Sequence, residues 1–474
     1  MKKFNKNRYL RKLKFKRYWQ TNSRYFYIGI PCLLCLVLGI YFAYSKFFVS
    51  SEEEVIRTTV GEFIYGDIIM ASYIDGQYSN TFPEKKTGIN VEKVVCDNGV
   101  TASWDEDKWG LYVTNLSKRT KCSVYFVTPN SCGINDNVSC INSREGLATL
   151  ANEVNNGDNK SGKIIYLTSD LDLGGKFDSD GNALDGNISW IPIGTESNPF
   201  SGTFDGNGHI INNMYINRPN NAYNGLFGYT QKSFIKNLGL ISSYVIGYVW
   251  SSGIAVYGAN VNNVFSLATV IGKGKNSGIC TFECTVKNSY NGGNIKSTST
   301  NNTWNIGDVT AGVAGGNSTV YNSYNYGSIV SLAASVGGIS GWNSNIYFSY
   351  NSGQVNGENE RWTGGILGAF ENIINLKSNY NSGTVNGGGI VGVQQSGNGL
   401  STLLSNIKSN YFSNESASYG FYAYKSNQGA EPLSEDEMPS VISVINGDNA
   451  FVEDTNNINN GYPILKWQAE RENN

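Results

Sequence analysis

Past residue 200, apolar and polar positions alternate along this chain over only three or four residues at a time, and glycine breaks each run before a helical period is established. The pattern predicts short strands and tight corners. Four stretches carry one order: "VKNSYNGGNI" from 286, "VYNSYNYGSI" from 320, "IYFSYNSGQV" from 346 and "LKSNYNSGTV" from 376. An aliphatic comes first, Tyr290, Tyr324, Tyr350 and Tyr380 come fifth, an Asn follows, then Gly293, Gly327, Gly353 and Gly383, then Ile or Val. "VNNVFSLATV" from 261 and "IKSNYFSN" from 407 are weaker copies, with Phe265 and Tyr411 in the Tyr column. Starts lie 25 to 34 residues apart, and most gaps hold a glycine-framed apolar pair: "GLFG" at 225, "SGIAVYG" at 252, "GGISG" at 337, "GGILG" at 364 and "GGIVG" at 388.

A unit of that length with two or three short strands cannot bury its own apolar side, so successive units must stack on a shared core. The expected fold is all-β: a parallel β-helix, or β-solenoid, right-handed because parallel crossovers are. Equal columns then become ladders, with Ile and Val inside, Tyr on Tyr, and Asn amides bonded to the Asn one coil above. Each Gly is expected at a corner, where positive φ or a close backbone approach excludes a Cβ. A β-propeller needs longer blades, and a helical solenoid needs helix formers that are scarce here.

Upstream the pattern changes. Residues 49–130 read as a small β-sandwich-like module with a hairpin in "DIIMASYIDGQYSNTF", turning at Asp75-Gly76. Residues 131–160 read as linker and capping helix: "NSREGLATLANEVNNG" offers Ser143 as N-cap and sets Leu147, Leu150, Ala151 and Val154 on one face. The β-helix is expected from 161 to 474.

Charge adds the membrane. Residues 1–24 hold ten Lys or Arg and no acid, which leaves the remainder near −12, a balance that repels nucleic acid. "YFYIGIPCLLCLVLGIYFAYS", 25 to 45, is an uncharged run of ~31 Å as a helix, flanked by aromatics. A cytoplasmic tail (1–24), a transmembrane helix (25–48) and an ectodomain outside follow from the basic side. A cleaved signal peptide is the rival reading, but both the basic and the apolar segments are long for one. Cys96 with Cys122 and Cys132 with Cys140 are then expected as extracellular disulfides, while Cys280 and Cys284 in "CTFEC" either bridge or pack.

Residues 55–128 resemble a short module of membrane-anchored surface proteins of low-GC Gram-positive bacteria. "WIPIGTESNPFSGTFDGNGHIINNMYIN" (190–217), "NGLFGYT", "IKNLGLISSYVIG" and the closing "NGYPILKW" resemble the GLUG-repeat proteins of bacterial cell surfaces, over about residues 145 to 468. The resemblance implies a right-handed β-helix on a secreted or anchored protein. It brings no shared catalytic residue.

Candidate chemistry is sparse. Residues 200–410 hold six carboxylates, Asp205, Glu283, Asp308, Glu358, Glu360 and Glu371, and no column groups them as glycan-cleaving enzymes on β-helices group theirs. His209, the sole histidine, follows a tight turn in "DGNGHIIN" and reads as structural. "DSDGNALD" (178–185) is spaced like a calcium loop but lacks the distal Glu, so it reads as a turn. No metal or cofactor is expected. Exposed indoles remain the usual platform for sugar rings, and Trp250, Trp304, Trp342 and Trp362 lie near successive coils; core or corner filling is the competing role. The expectation is a non-enzymatic adhesion or ligand-binding module whose partner is an extracellular glycan or surface protein, with a glycan-degrading enzyme and a passive spacer as alternatives.

Overall fold

The computed structural model describes residues 54–56, 63–65, 68–79, 81–97, 99–114, 120–178, 182–299, 308–332, 335–395, 406–445 and 449–472. The expected cytoplasmic tail and membrane helix lie outside these residues; among the described ones, no helix is long and apolar enough to cross a membrane. The described residues divide into two compact units, one within 54–85 and 93–126, the other within 86–92 and 127–472.

The first unit contains two sheets. Glu54–Ile56, Thr101–Asp105 and Gly110–Thr114 form an antiparallel three-stranded sheet. Phe63–Tyr65, Ile68–Ile74, Thr120–Val127 and Asn90–Cys96 form the second, and Gln77–Ser79 pairs back on Ile68–Ile74. The predicted hairpin is present, with positive φ at both Asp75 and Gly76, as a two-residue turn between right-twisted strands requires. Trp104 from one sheet meets Phe126 from the other edge-to-face at 5.1 Å, with Phe82 and Trp109 around them. Cys96 is bonded to Cys122.

The second unit is a parallel β-solenoid. Its central column runs through nine levels in strict register, Ile165, Phe204, Ile235, Val261, Val286, Val320, Ile346, Leu376 and Ile407, each at most 1 % exposed. The glycine-framed aliphatics Leu226, Ile254, Ile279, Val313, Ile339, Ile366 and Ile390 are buried from the opposite corner. Each such side chain stabilises the stack by about 1.5–3 kcal/mol relative to exposure. The stacking begins earlier than the sequence pattern suggests, because Val138–Ile141 pairs in parallel with Ile164–Leu167. The predicted helix, α1 (Arg144–Asn155), is inserted between those two strands; Ser143 caps it by accepting from Gly146 N, and its four predicted residues are buried.

The recurring motif now has a physical reading at every position. The Ser before the Tyr spans coils: Ser289 N donates to Ser323 Oγ and Ser323 N to Ser349 Oγ, both at 3.2 Å. The Tyr points outward and stacks, with centroid distances of 4.8, 4.9 and 4.9 Å from Tyr290 through Tyr324 and Tyr350 to Tyr380. The Asn points inward. Nδ2 of Asn291, Asn325 and Asn351 donates to Oδ1 of the next Asn at 2.8, 2.7 and 2.8 Å, and its second hydrogen goes to the carbonyl two residues on, so both amide hydrogens are satisfied in the core.

Glycine's role divides in a way the sequence does not show. Gly293, Gly327, Gly353 and Gly383 are not at positive φ; a Cβ there would fall inside 3.0 Å of the carbonyl oxygen one coil below. The left-handed corners fall mostly to other residues: Asn237, Asn263, Asn288 and Asn322, continued by Phe348, Ser378 and Ser409, in one column, and Gly258, Glu283, Asn317 and Asn343 in another. Asn tolerates that region better than other residues with a Cβ.

Residues 434–445 and 449–472 leave the coil and roof the outward tyrosines. Met438, Val441, Ile445, Phe451 and Leu465 form a second apolar cluster with Tyr324, Tyr350, Tyr380 and Tyr411. Tyr350 OH donates to Gln468 Oε1 at 2.9 Å, Tyr380 OH donates to the Pro463 carbonyl, and Trp467 Nε1 donates to Asn322 O at 2.8 Å. The Arg471 guanidinium lies 4.6 Å over Phe265. The segment thus runs back down the stack as a strap.

Candidate ligand-binding site

Two outward columns flank the glycine-framed corner. One is Tyr223, Trp250, Lys275, Val309 and Ser335. The other is Tyr229, Tyr257, Phe282, Gly316, Trp342, Ala369 and Val393. In the first column Ser251 and Asn276 are buried beside Trp250 and Lys275, which turns those two out; in the second, Tyr257 and Phe282 lie three residues past the buried Ile254 and Ile279, so alternation turns them out.

The lower part of this stripe is open. Trp250, partly exposed, meets Tyr223 edge-on at 5.4 Å, Tyr257 at 5.7 Å and Phe282 at 5.2 Å. Tyr229 stacks on Tyr257 at 4.4 Å. Lys275 Nζ lies 4.6 Å from the Trp250 ring and 4.8 Å from that of Phe282. Tyr257 OH donates to Glu283 Oε2. Burial and that carboxylate push the Tyr257 phenol well above its usual range; burial, then Glu196, raises Tyr223. Desolvation lowers the Lys275 ammonium, opposed by Asp308. Five rings over three levels, some stacked and some edge-on, make an aromatic patch edged by one cation and carboxylates, with donors and acceptors on its border. Aromatic rings bordered by polar groups can pack on an apolar face of a ligand while the border pairs with its polar rim.

The upper part is closed. Trp342 and Trp362 are 3 % and 7 % exposed, lie 6.4 Å apart and nearly parallel, and pack with Val309, Ala369 and Val393. Neither indole offers an open face. Trp304 lies outside the described residues. Of the three singled-out tryptophans that are described, Trp250 is the one on the open surface. Tyr223, Tyr229, Tyr257 and Phe282 were missed, although three of them carry a readable signal as the fourth residue after Gly225, Gly253 and Gly278.

The remaining candidates are placed as follows. Cys132 is bonded to Cys140, and Cys280 to Cys284. His209 Nδ1 is 3.0 Å from Asp170 Oδ1, which also accepts from Ile210 N and closes the turn. These hydrogen bonds, the backbone one first, hold the Asp170 carboxyl below its usual value. Asp178 accepts from both nitrogens of Asn182. Asp205, fully buried, accepts from Asn90, Asn207 and Asn237 and serves the stack. Asp308 accepts from Ser299 Oγ, and Glu360 from Tyr422 OH. Among the described residues, no three His, Cys, Asp or Glu converge as a metal site.

No family model matches the chain. Over 85 residues, 18% of its length, it is 35% identical to a protein of Evansella cellulosilytica described as "Putative Gly-rich membrane protein"; the matched segment spans 9% of that relative. A solved structure, of "a putative immunoglobulin A1 protease from Bacteroides ovatus", aligns with 72% of this chain and 95% of its own at 19% identity and a TM-score of 0.45. Likeness of that degree carries no argument about activity.

Proposed function

We propose that this chain is a surface ligand-binding protein: residues 25–48 anchor it in the membrane with the N-terminus inside, and the solenoid presents a glycan-binding patch outside. The residue-level resemblance to GLUG-repeat surface proteins and the partial similarity to a Gly-rich membrane protein support the setting. The observation that carries the reading is Trp250, partly exposed among Tyr223, Tyr257 and Phe282, with Lys275 and Glu283 at the rim. A rigid solenoid presents such a surface at little conformational cost, since its backbone is ordered before the ligand arrives. The test is retention of the detergent-solubilised full chain on immobilised oligosaccharides, alongside Trp250→Ala. Retention lost in a variant that still folds supports the reading. Retention on none of the glycans sinks it and leaves a protein ligand or a spacer; new reducing ends in the same incubation would favour an enzyme.

A further inference from the structure

The corner that carries Glu283 is built differently from its neighbours. One residue per coil in this column lies in the left-handed region: Gly258 (φ 75°), Glu283 (φ 55°), Asn317 (φ 48°) and Asn343 (φ 41°). Gly and Asn adopt it readily, whereas Glu does so rarely. Lys232 shares the conformation at a lower level, where the pairing shifts register. At Glu283 alone of these corners the flanking residues are covalently joined: Cys280 and Cys284, both buried, are bonded across it. In the next coils the position of Cys280 is filled by Ala314 and then Ser340. The position of Cys284 is filled by Ser318, whose Oγ accepts from Cys284 N at 3.1 Å, and then by Ser344.

The geometry points to a division of labour, which we infer on the basis of the glycan reading above. The Cys280–Cys284 bridge clamps the corner so that a residue unsuited to it, Glu283, can stand there, and the corner presents a carboxylate to ligand hydroxyls beside Trp250. At the other levels Gly258, Asn317 and Asn343 close the corner without a bridge, and Lys232 does so where the pairing shifts register. The loop also holds Phe282, whose ring completes the patch, so one five-residue segment sets both an apolar wall and an acceptor. Glu283 already accepts from Tyr257 OH, which orients the carboxylate and leaves acceptor capacity for hydroxyls. The ligand class is therefore a polyhydroxylated sugar with hydroxyl donors next to its stacking face.

The test is a cycle of four full-length proteins: the parent, Glu283→Asn, Cys280→Ala with Cys284→Ser, and all three changes together. The cysteine replacements are those that the same columns use one coil away, so the stack can accept them. In the unbridged background Glu283→Asn should raise the melting temperature by about 2 °C, because a residue at ease in the left-handed region replaces one that is not; in the bridged background it should change little. Equal shifts in both backgrounds would overturn the clamp. Binding is measured to immobilised chitotetraose, cellotetraose and mannotetraose. Glu283→Asn should weaken it about tenfold or more in either background, including the one it stabilises, since a charged acceptor is lost. Unchanged affinity in Glu283→Asn and in the unbridged variant, when Trp250→Ala has lost binding, would overturn the role of this corner. If the parent binds none of the three sugars, the glycan reading fails with the carboxylate's proposed role, while the thermal cycle still decides the clamp.

Discussion

The ring of Tyr324 lies over that of Tyr350 with centroids 4.9 Å apart and planes 1° from parallel, and the register between the two coils places them directly opposite one another. The strap formed by residues 434–445 and 449–472 seals this column, so the phenols are removed from water although they point away from the solenoid core.

Alkaline pH should therefore open the protein. Burial raises Tyr324, Tyr350 and Tyr380 above the ordinary tyrosine value, with neighbouring phenols adding to the shift at Tyr324 and Tyr350. In the unfolded chain they ionise near pH ~10. The folded state keeps protons that the unfolded state releases, so their contribution is complete below about pH 10 and falls as pH rises toward the raised folded values. The expected outcome is a cooperative loss of β circular dichroism above about pH 10, with the phenolate absorbance of these tyrosines appearing in the same step. Full phenolate absorbance before any loss of β signal would contradict the burial.

Removing the strap's anchor should expose that surface. Trp467 donates to Asn322 O and packs against Tyr290 and Tyr324. Trp467→Ala should cost about 3 kcal/mol, at the low end for a large aromatic because the ring is only partly buried. It should also increase binding of a hydrophobic dye while leaving the solenoid's circular dichroism in place. A variant as stable as the parent would show that the strap is not held by this residue.

Gly353→Ala should be worse than its size suggests. The glycine needs no unusual φ, yet an added Cβ would run into the carbonyl of Gly327 in the coil below, where both sides are backbone and neither can rotate away. Spreading two coils breaks ladder hydrogen bonds as well as packing, so about 3 kcal/mol or more is expected. Gly76→Ala makes a useful comparison: its φ is positive but nothing lies within 4 Å, so its cost is conformational alone, about 1 kcal/mol. Denaturation midpoints of the two variants separate close approach from backbone strain.

Much of the solenoid was legible because its information is periodic. The aliphatic, Tyr and Asn columns predict a stack before any coordinate is known, and Asn325 and Asn351 meet as that stack requires. Two features stayed hidden because each depends on a contact that no period encodes. The strap at 434–445 and 449–472 binds the tyrosine column through Gln468, Pro463 and Trp467, which belong to no repeat. The insertion of α1 between paired strands is invisible when Val138–Ile141 has no motif of its own. The proposed patch was half legible: Trp250 stands out as a rare residue, but Trp342 and Trp362 stand out equally. Only the course of the chain around Trp362 and the packing of Ala369 and Val393 decide that those two are covered.

That difference between tryptophans sets up the sharpest test of the site. Trp342 is 3 % exposed and stacks beside Trp362 over Val309, so Trp342→Ala leaves a cavity and should cost about 3–5 kcal/mol. Trp250, like Trp467, is only partly buried, and its removal should cost less, about 2–3 kcal/mol with its ring contacts to Tyr223, Tyr257 and Phe282. Binding should rank the pair in the opposite order. At temperatures where both remain folded, Trp250→Ala should lose glycan retention about tenfold or more, as loss of a central aromatic anchor does, and Trp342→Ala should bind as the parent does. Paired melting curves and retention assays on the same preparations check both rankings at once. If Trp342→Ala loses binding while folded and Trp250→Ala keeps it, the ligand surface lies at the upper coils and the patch around Trp250 is only a weathered edge of the core.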